Sequence, residues 1–343
     1  MIISWVRGFN KINITLLFFV LISLNAVLYG NDDIAHIRNL RFYKISNPGS
    51  LANNRINNII KDSEGYLWFA TENGVARYDG YEVKNYFFDQ HEPSSLYGNF
   101  VISFLIDNEK QLWIGTDLGL MVYNPNCDNF RRISVDLPDK RQNILDLKIL
   151  GNNTILALTS RRILYYDRKS NSLKLYLSID EISDIDNGEE FYQFIVNPSI
   201  TNQLIIFTQH NVIKTVFPEK KFTLFKHSCG IVRKLYHQDE RHMWISAQNG
   251  LFVFEPYRNQ ILQFLPKDKE YKKYFLHEIR DFLIDKNGNY WIATDQDGIF
   301  YYNTETAGCV HFYHKEFDNQ EQPASVQFRA ELFQQLFPNQ GQV

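Results

Sequence analysis

Cysteine is scarce and unpaired in this chain. Its three residues, Cys127, Cys229 and Cys309, are odd in number and widely spaced. No C-x-x-C pair occurs, which argues against a zinc site and a disulfide framework, and the three read as buried free thiols that pack as small hydrophobes. An excess of positive charge is missing too, since 36 Lys and Arg against 39 Asp and Glu give a net charge of −3. A polyanion needs clustered basic residues on one face, so nucleic acid is not an expected partner. H-E-x-x-H, G-x-S-x-G and phosphate-loop motifs are also absent, and nothing calls for a cofactor. No long 3.6-residue periodicity interrupts the region up to about residue 313, so little helix is expected there.

What is present is β-forming. Apolar residues make up 44% and charged residues 22%, enough for a sizeable core, while aromatics reach 15% with 20 Tyr and 27 Phe. Such residues favour pleated, half-buried surfaces. At the N-terminus, Arg7 and Lys11 precede an apolar run from Ile12 to Tyr29, and Gly30 stands before the polar Asn31. That order resembles a secretory signal peptide over residues 1–30, leaving a mature protein that begins near Asn31. The run also approaches the roughly 20 residues of an uncleaved membrane anchor. Either reading exports the remainder, and no second apolar run of that length follows.

A repeat organises the rest. Leu67-Trp68-Phe69-Ala70-Thr71, Leu112-Trp113-Ile114-Gly115-Thr116 and Tyr290-Trp291-Ile292-Ala293-Thr294 share one pattern, and Met243-Trp244-Ile245-Ser246-Ala247 lacks only the Thr. Aligning backwards from Thr159 and Thr208 puts Leu156 and Ile205 in the Trp slot of two further copies. The six slots, at residues 68, 113, 156, 205, 244 and 291, are then 39 to 49 residues apart. A four-stranded propeller blade has that period. Around the first slot the strands read as residues 56–61, 66–71, 75–78 and 81–87, with Asp62-Ser63-Glu64-Gly65 as a turn. The fold expected is an all-β propeller with six recognisable four-stranded blades over residues 41–313.

The repeated Asp62, Gly65, Leu67-Trp68, Thr71, Gly74 and Tyr78-Asp79, with Asp107, Leu112 to Thr116, Gly119-Leu120 and Tyr123 in the second copy, resemble the two-component regulator propeller family. The opening Phe42 to Ile45, followed by Ser50 to Asn54, is similar to the start of such sensors, where the first strand completes the last blade and closes the ring. The resemblance implies the periplasmic sensor half of a hybrid histidine kinase, and a ring of seven blades. The kinase's phosphoacceptor His box and glycine-rich nucleotide boxes are not found in this sequence. Asp318 to Ser325 parallels Asp89 to Ser95, with Pro323 and Ser325 offset by 230 residues from Pro93 and Ser95. Carried forward from Trp113, that offset puts a seventh slot at residue 343, so residues 314–343 are expected to be the truncated start of a further blade. An open ring would expose unpaired strand edges.

Three sets of residues suggest chemistry. Asp62, Asp107 and Asp285 each lie six residues before a Trp. A glycosidase needs two carboxylates facing one bond, whereas recurrence at one repeat position points to turn chemistry. His311 and His314 lie three apart on a strand, facing opposite sides, which argues against a shared metal. Glu72, Asp117, Ser160, Gln209, Gln248 and Asp295 all follow the slot by four residues and are polar. Radial repetition would bring them around one mouth of the central channel, a setting suited to a hydroxyl-rich ligand. Trp68, Trp113, Leu156, Ile205, Trp244 and Trp291 are expected in the blade core, because a sugar-stacking platform would not tolerate Leu or Ile.

The expected function is a periplasmic, ligand-sensing propeller that recognises glycan-derived oligosaccharides or another small polar ligand. It would act without catalysis, by shifting a homodimer between two arrangements. Membrane contact would come only through an uncleaved N-terminus or a downstream helix. The alternatives are a protein-interaction scaffold and, third, a propeller-type polysaccharide lyase or hydrolase.

Overall fold

The computed structural model describes residue 37 and residues 51–312 apart from 52, 54, 152, 187 and 240. The signal-peptide region, the strand expected at Phe42 to Ile45 and the further blade expected at 314–343 lie outside the described residues. The fold is all-β, six four-stranded blades arranged as a six-bladed propeller. Helix is confined, among fully described segments, to two short 3-10 turns at Ile179–Glu181 and Lys272–Leu276.

In each blade the strands, here called a to d, pair antiparallel in chain order. Strand a runs Ile56–Lys61, Val101–Ile106, Asp146–Ile149, Gln193–Val196, Val232–His237 and Ile279–Ile284 in blades 1 to 6. Strand b runs Leu67–Thr71, Leu112–Thr116, Ile155–Leu158, Gln203–Phe207, Met243–Ala247 and Tyr290–Thr294. Strand d of blade 1 is shorter than the sequence pattern suggests, at Val83–Tyr86, because Asp79 Oδ1 instead accepts the Tyr81 and Glu82 amides as a turn. Blade 3 gains a fifth strand, Ser134–Val135, parallel to its strand d at Ser172–Ser178.

The repeated Thr has a local task. Thr71, Thr116, Thr159, Thr208 and Thr294 each donate a side-chain hydrogen bond to a carbonyl beyond the b–c hairpin. That bond closes the turn while the hydroxyl of a buried Thr stays satisfied.

The slot residues are all nearly inaccessible, from 0% exposed for Trp68, Leu156 and Ile205 to 4% for Trp244. The first five face the next blade. Trp68 packs with Ile114, Met121 and Phe130 of blade 2, and Trp113 with Ile155 and Leu164 of blade 3. Leu156 and Ile205 meet blades 4 and 5, and Trp244 meets Phe282 and Phe300 of blade 6. Five blade-to-blade joints are therefore continuous apolar clusters. At the remaining joint the two end blades keep separate clusters, Phe69 with Val83 and Leu51 on blade 1, and Trp291 with Tyr301 and Ile37 on blade 6.

Polar latches reinforce the rim. Asp128, in the c–d hairpin of blade 2 with φ of 49°, accepts from the Tyr86 and Tyr123 hydroxyls at 2.7 and 2.6 Å. It also pairs with Arg77 at 3.3 Å and with Lys84, both on blade 1. Asn171, at the equivalent turn of blade 3 with φ of 50°, receives Tyr166 and the Arg131 guanidinium of blade 2. Cys229 and Cys309 are buried free thiols, but Cys127 is exposed. The sequence-based reading of all three as buried is corrected at Cys127, which stands in the turn between strands c and d of blade 2 and is exposed there.

Candidate functional site

Strand a is the innermost strand of every blade, and its residues line an axial cavity of about 1320 Å³. A β-bulge decides what faces that space. In blades 1, 2, 5 and 6 the a–b register shifts between Ile56 and Asn58, Val101 and Ser103, Val232 and Lys234, and Ile279 and Asp281. The extra residues are Asn57, Ile102, Arg233 and Arg280, and all four line the cavity. Bulges re-aim a side chain while the rest of the ladder stays paired. Four blades thus present one residue each toward the axis.

The presented residues differ sharply around the ring. Blades 2 and 3 offer Phe100, Ile102, Leu145 and Leu147 to the cavity, with Phe100 still 40% exposed. Blades 5 and 6 offer Arg233 and Arg280. The Arg233 Nε donates to Glu278 Oε1 at 2.7 Å. Arg280 reaches the same Glu278 at 3.2 Å and Asp295 Oδ1 at 2.6 Å. A second ion pair across these blades joins Lys234 to Asp281 at 2.8 Å, and Lys148 pairs with Asp146 at 2.7 Å within blade 3. Asn57 Nδ2 donates to the Val101 carbonyl at 2.7 Å, tying blade 1 to blade 2 beside the axis.

The six polar positions singled out by the repeat sit one or two residues after strand b, and none of them is among the cavity-lining residues. Glu72 pairs with Arg55 at 3.3 Å. One carboxylate oxygen of Asp117 is buried without a partner among the described residues, and burial pushes its carboxyl above the usual range. It lies against Gly98, where an added Cβ would stand 2.4 Å from Asp117 Oδ1. The Ser160 carbonyl accepts from the Phe191 amide, Gln209 is exposed, and Gln248 Oε1 accepts from the Ile231 amide at 3.3 Å. The Asp295 side chain holds a cavity residue, Arg280, and the Asp117 amide donates to the carbonyl of another, Phe100, at 3.0 Å.

Asp62 and Asp107 act as turn residues. Each gives one carboxylate oxygen to two backbone amides and the other to the indole of its own blade's Trp. His311 stacks on Phe300 with ring centroids 4.1 Å apart, and His314 lies outside the described residues. Among the described residues no three of His, Cys, Asp and Glu are grouped to hold a metal ion, and no helix is long and apolar enough to cross a membrane.

Comparison with known proteins agrees with this architecture. Residues 50–73 match the model of the two component regulator propeller family. The extracellular domain of a hybrid two component system from B. thetaiotaomicron is similar, with a TM-score of 0.67, 21% identity, and coverage of 82% of this chain and 38% of that one. The extracellular domain of a one component system from B. thetaiotaomicron gives a TM-score of 0.60 and 22% identity, covering 80% of this chain and 35% of that one. Virginiamycin B lyase from Staphylococcus aureus shares the fold at 10% identity and a TM-score of 0.58, covering 78% of this chain and 87% of that one. The chain thus spans less than two fifths of the two extracellular domains. No curated protein sequence matches. The described blades form a propeller similar to extracellular sensor domains of two-component systems.

Proposed function

We propose that this chain is a ligand-sensing propeller of a two-component regulator, exported to the periplasm and recognising a glycan-derived ligand. The observation that carries the reading is the axial cavity of about 1320 Å³, lined by both apolar and hydrogen-bonding side chains. A few placed polar groups on an apolar wall are what a small-molecule site requires. Phe100, Ile102 and Leu145 offer the faces of a sugar ring an apolar wall, and Asn57, Gln193 and the charged residues of strand a offer partners to its hydroxyls. Glu72, Asp117, Ser160, Gln209, Gln248 and Asp295 contribute at the rim.

Sensing then follows from differential binding. A ligand that favours one arrangement of a propeller dimer shifts the population toward it, and only by as much as its affinities for the two differ. A histidine kinase, on the same or another polypeptide, reads that shift. No step of this mechanism asks the propeller to break a bond.

The test is thermal unfolding and calorimetric titration of the chain against a panel of oligosaccharides. At a hundredfold excess over Kd, a ligand specific for the folded state stabilises it by about 2.7 kcal/mol, a readily measured rise in Tm. Binding without turnover is the expected result. Turnover of a bound saccharide would replace the sensor with a propeller enzyme, and silence across the panel would remove the glycan from the reading.

A further inference from the structure

The chain as a whole is acidic, with a net charge of −3, but its axial cavity is not. Six cationic side chains line it, Lys61, Lys110, Lys148, Arg233, Lys234 and Arg280, against four carboxylates, Asp62, Asp107, Asp146 and Asp281. All four are committed, Asp62 and Asp107 to their own turns and indoles, Asp146 to Lys148 and Asp281 to Lys234. Counted over the lining side chains alone, positive groups exceed negative ones by two, inside walls whose low dielectric focuses the field.

Within that setting Arg233 and Arg280 are held in a particular way. Glu278 and Asp295, which fix them, are not among the cavity-lining residues, so both guanidinium groups are anchored by carboxylates outside the lining. Arg233 uses only its Nε for that bond. Its two terminal amino groups have no partner among the described residues. A guanidinium anchored through one edge and open at the other is pre-organised for a planar, two-oxygen anion. Across the cavity, Phe100, Ile102 and Leu145 supply an apolar wall.

We propose that the cavity mouth at blades 5 and 6 is an anion subsite, and that the ligand is an acidic saccharide whose carboxylate or sulfate engages Arg233 and Arg280 while its ring lies toward Phe100. This deepens the glycan-sensing reading and rests on it. A neutral sugar offers the terminal amino groups of Arg233 only hydroxyl acceptors, whereas an acid group offers them a charge-assisted pair.

Calorimetric titration of the full chain tests the assignment with four probes: trigalacturonic acid, its fully methyl-esterified form, a chondroitin sulfate disaccharide, and citrate. At least one acidic saccharide should bind at least about tenfold more tightly than the uncharged ester, a difference of about 1.4 kcal/mol. Trigalacturonic acid carries carboxylates alone, so its binding assigns the subsite to a carboxylate; the chondroitin sulfate disaccharide carries both groups, so its binding without that of trigalacturonic acid assigns the subsite to the sulfate. Arg233→Gln should lower that affinity at least about tenfold with Tm unchanged, and Arg233→Lys, which keeps the charge, should recover part of it and reports on folding if the Gln variant melts early. Equal affinity for acid and ester, or full affinity in a folded Arg233→Gln, would overturn the anion subsite and leave glycan sensing standing. Citrate binding as tightly as the saccharides, and through Arg233, would keep the subsite and overturn the glycan. Absence of heat from all four probes would overturn both.

Discussion

The indole N–H of Trp68 donates to Asp62 Oδ2 at 2.7 Å. Six residues separate the two, and strands a and b with their turn bring them together. The same bond joins Trp113 to Asp107 at 2.9 Å, and Trp244 to Gln238 at 2.7 Å. Asp285 also stands six residues before a Trp, and its Oδ1 caps the turn through the Asn287 and Asn289 amides. Yet the Trp291 Nε1 is buried without a partner among the described residues. The recurrent acid thus holds a turn in every blade that has it, and satisfies a buried donor in two.

That difference predicts unequal costs. Asp62→Ala removes two bonds to turn amides and strands the N–H of a fully buried indole, so it should cost about 2 to 3 kcal/mol. Asp285→Ala loses only turn bonds and should cost about 1 kcal/mol. Urea unfolding of the two variants measures the gap; equal losses would mean that the indole bond adds nothing to stability.

How much of this is readable in the sequence depends on the range of the interaction. The Trp slot, the Asp turn and the Thr hairpin are local, repeated at one period, and so mark six blades even where Leu156 and Ile205 replace the Trp. The cavity lining is different. Asn57, Arg233 and Arg280 face the axis because a bulge adds one residue to strand a, and a bulge leaves no compositional mark. The repeat instead draws attention to the residues after strand b, of which Asp295 bears on the cavity through Arg280 and Asp117 through the Phe100 carbonyl. The Asp128 latch does carry a faint signal, Tyr123 five residues before Asp128 and Tyr166 five before Asn171, but its partners Arg77 and Lys84 lie a blade away.

Two glycines separate backbone strain from crowding. Gly65 and Gly74 both lie at positive φ, at 94° and 101°. A Cβ on Gly65 meets nothing within 4 Å, while one on Gly74 would stand 2.4 Å from the Tyr86 carbonyl oxygen. Gly65→Ala should therefore cost roughly 1 kcal/mol from strain alone, and Gly74→Ala at least about 2 kcal/mol because blade 1 must also shift. Matched thermal melts test the order, and a Gly65 variant that is the less stable of the two would refute it.

Trp113 fills the joint between blades 2 and 3 and is 3% exposed. Trp113→Ala should destabilise the fold by about 3 to 5 kcal/mol. Trp113→Leu should cost about half as much, because Leu156 fills the corresponding slot of the next blade. Ligand affinity measured well below Tm should not change in either variant; lost binding with an unaltered melt would make Trp113 a ligand platform.

Acid should loosen the joint between blades 1 and 2 first through Asp128. Burial opposes its ionisation, but hydrogen bonds from Lys84, Tyr123 and Tyr86 and the charge of Arg77 outweigh burial and hold its carboxyl at about 2. An unfolded Asp titrates near about 3.9. Because the folded value is the lower one, the stabilising contribution is fully present above the unfolded value and is lost as pH falls from about 4 through about 2. Asp128→Asn should lower stability at neutral pH and flatten its dependence on pH across that window. Asp167, held at about 2 by Lys174 and Ser170 within blade 3, keeps its own dependence in the variant, so the slope should shrink without vanishing. Chemical unfolding at intervals from pH 5 to pH 2 provides the comparison. A variant whose stability runs parallel to the parent throughout would show that Asp128 ionises alike in the folded and unfolded chains. The latch would then be hydrogen-bonded packing with no charge component.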